Sequence, residues 1–548
     1  MARSVIDPVS RIEGHLRVEM EVSGGKVTDA WVTGGLFRGM ELILQNREPA
    51  DAAMIAQRIC GVCPISHAHA ACFAGEGAYG IKLENGARLV RNILEGSQFL
   101  HSHILWFYNL TGLDYVDPTN ALSANVADTY DLANAAGTGN SDFAAVKKHL
   151  ESFIKNGQLS IFSGNWFSRD TFNLPPELDL IATAHYLEAL QYQAKASQIS
   201  GLLGGKMPHI MTSIPGGTAY VPTVEKIDDA LMRAVEIRDW VANTLIPDTL
   251  AIGPYYTEAL GFGKGPGRYA AWGVFESPSQ KPNERYLPAG IIDDKFKLHD
   301  VDESLITEYT GHSYYKTETN LNPRHGLTDP EFPEGGRDIE GKSHGKYTWC
   351  KAPRYDGKPY EAGPLSRMLV AYMRGVPEIV KLIDSTTKKL GVGIHDLESV
   401  LGRIVARNLE CLYIANLEVE WLTELGKAAA DPSTKYFTEP AHETGEGAGM
   451  WEAPRGALYH FERIKNNEIQ DYQIIIPTTW NISPRDADGV KGPMEQALIG
   501  CPVDDVEKPI NALRVVHSFD PCVACAVHVN EPATGKHFEV VTNPWGVK

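Results

Sequence analysis

The sequence predicts an α+β fold: a bundle of long helices flanked by small β-sheets, forming a single intertwined unit that brings both ends of the chain to one metal site. Three observations support this. Apolar residues recur at helical spacing in several stretches of the central chain, and alternating apolar and polar runs lie towards both ends. Two Cys-x-x-Cys pairs, Cys60-Gly61-Val62-Cys63 and Cys522-Val523-Ala524-Cys525, stand near opposite termini. Each pair can present two thiolates from one turn, and thiolates select soft or borderline metals such as zinc, copper(I), iron and nickel. If all four cysteines serve one site, the chain folds back on itself. That favours one unit, although 548 residues would allow three or four domains of average size.

Residues 16–32 alternate around Gly24-Gly25, as in a hairpin. The glycine-rich turn over 34–41 leads into an apolar, helical stretch. From 86 to 113, Leu89, Ile93, Leu94, Phe99, Leu100, Ile104, Leu105 and Tyr108 recur near helical spacing and predict a long core helix. The same pattern predicts helices over 180–203, 224–242, 366–390 and 394–425. Between 261 and 364 the chain is dense in Gly, Pro, Asp and aromatics, with a strand-like patch over 285–292. Irregular excursions with short strands and a small inserted subdomain both fit that composition. Residues 457–464 and 472–476 alternate again and read as strands returning to the core before the last cysteine pair. No repeat or low-complexity segment is found.

The composition is globular, with 43% hydrophobic and 22% charged residues. Lysine and arginine number 51 against 69 acidic residues, a formal charge of −18, and the two signs are interspersed. Nothing is built to neutralise a phosphate backbone, which argues against nucleic acid as a partner. The N-terminus lacks a basic segment followed by an apolar one, and no apolar run is long enough to span a bilayer, so the chain is expected to carry no export signal or anchor of its own. Eight cysteines are too few for a disulfide scaffold. Cys72, Cys350, Cys411 and Cys501 are isolated and read as small buried hydrophobes. With no further cysteine cluster, no iron-sulfur cluster is expected on this chain, and any electron relay must lie on another.

On ligand count and spacing alone, a structural zinc site remains open beside a catalytic metal centre. The flanking residues are more specific. Arg58-Ile59-Cys60-Gly61-Val62-Cys63-Pro64-Ile65-Ser66-His67 and Asp520-Pro521-Cys522-Val523-Ala524-Cys525-Ala526-Val527-His528 resemble the signature pair of nickel-iron hydrogenase large subunits. The resemblance extends to Arg11-Ile12-Glu13-Gly14-His15-Leu16, Phe37-Arg38-Gly39-Met40-Glu41, Pro208-His209 with Pro215-Gly216-Gly217, and Glu452-Ala453-Pro454-Arg455-Gly456 with His460. It covers nearly the whole chain.

The resemblance implies terminal nickel thiolates at Cys60 and Cys522, and Cys63 and Cys525 bridging nickel to an iron that bears carbon monoxide and cyanide. It implies that Cys522 takes a proton and passes it to Glu13, that Arg455 holds its guanidinium over the open metal position, and that Asp520 pairs with Arg455. Glu41, His528 and the carbonyl of Ile474 would hold a structural magnesium. Pro454 and Thr478 would lie near the diatomic ligands, and His67 would donate towards the sulfur of Cys63. His101, His103 and His209 are read as packing or hydrogen-bonding residues. A carboxylate that often stands beside the arginine is replaced by Ser102, leaving Asp520 to hold Arg455 largely alone. The gas-passage positions carry Val62 and Leu110.

The function implied is H2 ⇌ 2H+ + 2e−, by a selenium-free enzyme of the membrane-bound uptake type. The implied partners are an obligate small subunit carrying iron-sulfur clusters, a membrane cytochrome b, nickel-insertion proteins and a maturation endopeptidase. The mature chain would be 1–528, with 529–548 a propeptide removed after nickel insertion. The expected location is the periplasmic side of the membrane, reached together with the small subunit.

Overall fold

The computed structural model describes residues 2–158, 171–331, 345–440 and 442–523. At the N-terminus, β1 (Ala2–Ile6), β2 (Leu16–Ser23) and β3 (Lys26–Gly34) form an antiparallel sheet. The 16–32 hairpin is present and turns at Gly24 and Gly25, whose φ of 60° and 73° favour glycine. The helices α1 (Met40–Leu44), α2 (Pro49–Ala56), α3 (Pro64–Tyr79) and α4 (Asn85–Leu105) follow. The helix expected over 86–113 ends its regular α-turns at Leu105 and continues as a π-helical segment, Trp106–Thr111.

The central chain supplies α5 (Val126–Ala136), α6 (Phe143–Lys155), α7 (Pro176–Gly204), the short ribbon β4 (Ser213–Ile214) and β5 (Gly217–Thr218), α8 (Val224–Trp240) and α9 (Ile246–Ile252). The described residues between 261 and 364 are indeed irregular, with the short strands β6 (Tyr269–Ala271), β7 (Gly290–Ile292), β8 (Leu298–His299), β9 (Ile306–Tyr309), β10 (Asn320–Leu321), β11 (Ala352–Tyr355) and β12 (Glu361–Ala362). The strand-like patch over 285–292 shrinks to β7. The helix expected over 366–390 is two helices, α10 (Pro364–Met373) and α11 (Pro377–Leu390), because Gly375 takes φ 75° and Pro377 cannot continue a helix from the preceding turn. The 394–425 pattern becomes a 3-10 turn and then α12 (Val400–Ala429), whose N-terminus is capped by the Ser399 hydroxyl accepting from Gly402 N–H.

Among these helices α4 packs between α7 and α12, and α8 packs on both α7 and α12. Beside them lies the sheet of β13 (Gly445–Ala453), β14 (Gly456–Lys465) and β15 (Glu468–Ile475), followed by α13 (Pro477–Asn481), α14 (Pro493–Leu498) and α15 (Ile510–Ser518). The sheet meets the helices through a seam of small residues. Gly445, Gly447 and Gly449 alternate along one face of β13, and a Cβ at each would stand 2.1, 2.2 and 1.9 Å from the carbonyl oxygens of Ala78, Ala74 and Ala70 on α3. That flush contact fixes α3, which starts at the first cysteine pair, against the strand that leads into the turn carrying Arg455.

Candidate metal centre

Cys60 follows a short 3-10 turn, and Cys63 is the N-cap of α3, with Pro64 at the first helical position. Cys522 arrives from the other end of the chain, after α15. Its segment lies beside the Arg11–Leu16 motif: Glu13 and Cys522 form a parallel bridge, and Val523 N–H donates to Glu13 O at 2.7 Å. The sulfurs of Cys60 and Cys522 stand 3.3 Å apart, and those of Cys60, Cys63 and Cys522 all lie within 4.8 Å of one another. All three side chains are buried, and they pack with Ala453 and Val62 in a small cluster of their own. Cys60 Sγ accepts from the N–H groups of Val62 and Cys63 at 3.2 and 3.3 Å, contacts that favour a thiolate. Cys525 and His528 lie outside the described residues.

The donor set fits a soft metal: three sulfurs converge in a dry pocket, with a fixed cation at its rim. That cation is Arg455. Pro454 and Arg455 form the two-residue turn between β13 and β14, closed by the Ala453–Gly456 pair, so the hairpin tip carries the guanidinium to the cysteines. Arg455 Nη2 donates to Asp520 Oδ1 at 3.0 Å. Burial would lower the pKa of Arg455, but Asp520, Cys522, Cys63 and Cys60 raise it well above its ordinary value, so it is a permanent charge. Its Nε and Nη1 have no hydrogen-bond partner among the described residues, nor have Asp520 Oδ2 and the buried Ser102 hydroxyl. Asp520 is thus the carboxylate bonded to this arginine. His101, depressed to about 4 by burial and by Arg455, adds no charge at neutral pH. Glu13 Oε2 accepts from Cys522 Sγ at 3.3 Å.

Three buried groups that the sequence did not single out, Arg367, Glu410 and Asp114, hold this arrangement. Arg367 donates to Glu410, to Glu452 at 2.7 Å, and to the carbonyls of Ala453 and Pro454 at 2.9 and 2.8 Å, fixing the hairpin tip from behind. His103, expected to be a hydrogen-bonding residue, bonds Glu410 at 2.8 Å. Asp114 ties the two ends of the chain together: it accepts from Arg11 and, at 2.5 Å, from His517. Burial pushes its carboxyl up, but Arg11 and His517 hold it at about 2. Only Glu452 of the Arg367 group sits in a recognisable motif; Arg367, Glu410 and Asp114 lie in helical or irregular stretches where a buried ion pair has no sequence signature. Thr478, at the first turn of α13, accepts from Cys522 N–H at 3.1 Å through its hydroxyl oxygen. His67 lies one turn along α3 from Cys63, with Nδ1 3.1 Å from His460 Nε2; burial and the charge of Arg38 lower its pKa to about 4, so its ring is neutral.

Two of the expected magnesium residues, Glu41 and Ile474, meet at a second, oxygen-rich place. Glu41, in the first turn of α1, accepts from the N–H of Ile474 at 2.9 Å and from the Thr328 hydroxyl, while Lys351 Nζ lies 3.8 Å from it and 3.5 Å from Glu308. Ile474 therefore meets Glu41 through its N–H. Leu110 lies in the π-helical segment, where its carbonyl accepts from Arg11. The isolated cysteines are buried as expected, and burial pushes the thiols of Cys72, Cys350 and Cys501 up to about 12. No helix of the described residues is long and apolar enough to cross a membrane.

Comparison with known proteins agrees with this geometry. A family model described as nickel-dependent hydrogenase matches residues 38–528, and one described as HoxL-like matches 3–33. The quinone-reactive Ni/Fe-hydrogenase large chain of Wolinella succinogenes is 38% identical over 553 residues, covering 96% of each chain. The uptake hydrogenase large subunit of Rhodobacter capsulatus is 35% identical, covering 96% of this chain and 95% of its own. Among solved structures, the oxidised NiFeSe hydrogenase of Desulfovibrio vulgaris Hildenborough is 34% identical with a TM-score of 0.79, over 96% of this chain and all of that one. This chain has cysteine at 60, 63, 522 and 525. With three signature cysteines, Cys60, Cys63 and Cys522, meeting from both ends at one buried point and the family matched across most of the sequence, the chain belongs to the nickel-dependent hydrogenases as a large, catalytic subunit, an oxidoreductase acting on H2.

Proposed function

We propose that this subunit cleaves H2 heterolytically, H2 ⇌ 2H+ + 2e−, with Cys522 and Glu13 as the first two stations of the proton and Arg455 as the fixed charge at the site. The observation that carries this is the contact between Cys522 Sγ and Glu13 Oε2 at 3.3 Å, in a pocket where Cys522 is fully buried. A thiol that holds a proton there has a carboxylate within reach, and Glu13 is partly exposed, so the proton has a way out. Cys60, Cys63 and Cys522, with Cys525, would hold the metals; when bound, the nickel-iron centre supplies the electrophile that polarises H2 and accepts its electrons. Arg455, permanently charged and tied to Asp520, stabilises negative charge at the sulfurs in a medium that screens it little.

The remaining assignments belong to the same reading. Pro454 and the Thr478 hydroxyl would lie beside the carbon monoxide and cyanide ligands of the iron. Magnesium is held by Glu41 with Ile474 and His528. Electrons leave through an iron-sulfur small subunit to a membrane cytochrome b on the periplasmic side, and residues 529–548 are removed by an endopeptidase once nickel-insertion proteins have loaded the site. The test is hydrogen-dependent dye reduction and D2/H+ exchange by the purified complex of wild type and Glu13→Gln. The variant should keep its nickel and lose roughly 10²- to 10⁴-fold in both rates. Unchanged exchange in a nickel-loaded Glu13→Gln complex would remove Glu13 from the proton path.

A further inference from the structure

His460 belongs to the motif that carries Arg455, yet the site described so far leaves it without a task. It is fully buried on β14, and so are its two neighbours, His67 on α3 and Tyr472 on β15. The three form a line: His67 Nδ1 is 3.1 Å from His460 Nε2, and His460 Nδ1 is 2.7 Å from the Tyr472 hydroxyl. The far nitrogen of the line, His67 Nε2, is buried with no hydrogen-bond partner among the described residues. It belongs to a residue one helical turn from Cys63, in a ring that feels the charge of Cys60.

Two facing ring nitrogens bond only if one donates and the other accepts, so the line has two possible directions. In one, Tyr472 O–H donates to His460 Nδ1, His460 Nε2–H donates to His67 Nδ1, and His67 is left with Nε2–H. In the other, every bond is reversed: the phenol hydrogen loses its acceptor, and a bare nitrogen lone pair is left at His67 Nε2. Both ends of the line disfavour the second direction. A buried phenol with no acceptor costs on the order of 1–3 kcal/mol, and a bare lone pair is disfavoured on a ring that feels the negative charge of Cys60. We propose that Tyr472 and His460 are positioning residues that lock His67 as its Nε2–H tautomer, so that the centre's thiolates always meet a hydrogen-bond donor there.

The inference rests on the nickel-iron reading for its consequence, though not for its geometry, and the two can be tested separately. In the full chain labelled with 15N-histidine, ring proton–nitrogen correlations should show His67 and His460 each with hydrogen on Nε2 and a bare Nδ1. Tyr472→Phe and His460→Leu should abolish the single-tautomer pattern of His67. His460→Gln, whose amide can accept from Tyr472 and donate to His67, should restore it. In the metal-loaded complex, Tyr472→Phe should move the carbon monoxide stretching band to lower wavenumber, because a thiolate without its N–H donor gives more charge to the metals, while nickel content stays unchanged. A wild-type His67 with hydrogen on Nδ1 overturns the proposal whatever variants fold. So does a folded Tyr472→Phe chain whose His67 pattern and infrared bands match the wild type. Absent carbon monoxide bands in the wild-type complex would count against the nickel-iron reading alone, since the tautomer pattern still decides the proposal.

Discussion

The two candidate metal places share a sheet and differ in almost everything else. His460, which backs the thiolate place through His67, stands directly opposite Ile474, which bonds Glu41, in the register of β14 and β15. At the first place are sulfurs in a dry cluster, with polar groups that have no hydrogen-bond partner among the described residues: two nitrogens of Arg455, one oxygen of Asp520 and His67 Nε2. At the second place Glu41 is already bonded by Thr328 and Ile474 and faced by the buried Lys351, whose ordinary loss of charge on burial is outweighed by Glu308 and Glu41. On the proposed reading, the contrast separates a place built to react from one built to hold. Unpaired buried donors are costly in a finished core and are kept where a bound group will meet them. The paired, oxygen-rich place suits a hard cation with a structural task.

Cys60→Ser should break the first place and spare the second: nickel per chain and hydrogen-dependent dye reduction should both fall to background, while magnesium persists. Arg455→Lys should retain nickel but lose on the order of 10²-fold in rate, because an ammonium cannot reproduce the planar contact with Asp520 while charge is held over the sulfurs. Activity and metal content measured on the same sample check both. Glu41→Gln sharpens the comparison from the other side. Magnesium by elemental analysis should drop to background in the variant, while the nickel-sulfur X-ray absorption signature of the complex stays as in wild type.

The smallest expected effect concerns the clamp beneath the thiolate place. Asp114 is held at about 2, below its unfolded value of 3.8, so it contributes stability above about pH 4 that is lost as pH falls through about 2. Asp114→Asn should therefore cost roughly 2 kcal/mol near neutral pH. In denaturant titrations that difference should shrink as pH falls from 4 to 2, and a difference independent of pH would show that the ion pairs with Arg11 and His517 are not its source.

How much of this could be read in the sequence depended on how a segment is buried. The 16–32 hairpin and the helices α7, α8 and α12 were legible because each has two unlike faces or a run of apolar positions. Helix α3 was not, since nearly all of its residues are buried and its alanine-, glycine- and histidine-rich sequence has no polar face to mark a period; Pro64 at its start and Gly80 at its end were the usable signals. Strand β13 was hidden in the same way: glycine at every second position is a weak strand former, and its reason is the approach to the Ala70 carbonyl seen only in three dimensions. At the site, residues in motifs were recoverable by resemblance, whereas Arg367, Glu410 and Asp114 were not. A charge buried in a pair looks, in one dimension, like a charge in water.

The central claim is that cysteines from both ends of the chain hold one nickel-iron centre. Its most direct test is nickel, iron and zinc content of the purified complex, measured together with an infrared spectrum of the metal-carbonyl and cyanide region. One nickel per chain with sharp bands in that region is the predicted result. Zinc in place of nickel and no such bands, in a chain shown to have lost residues 529–548, would contradict it.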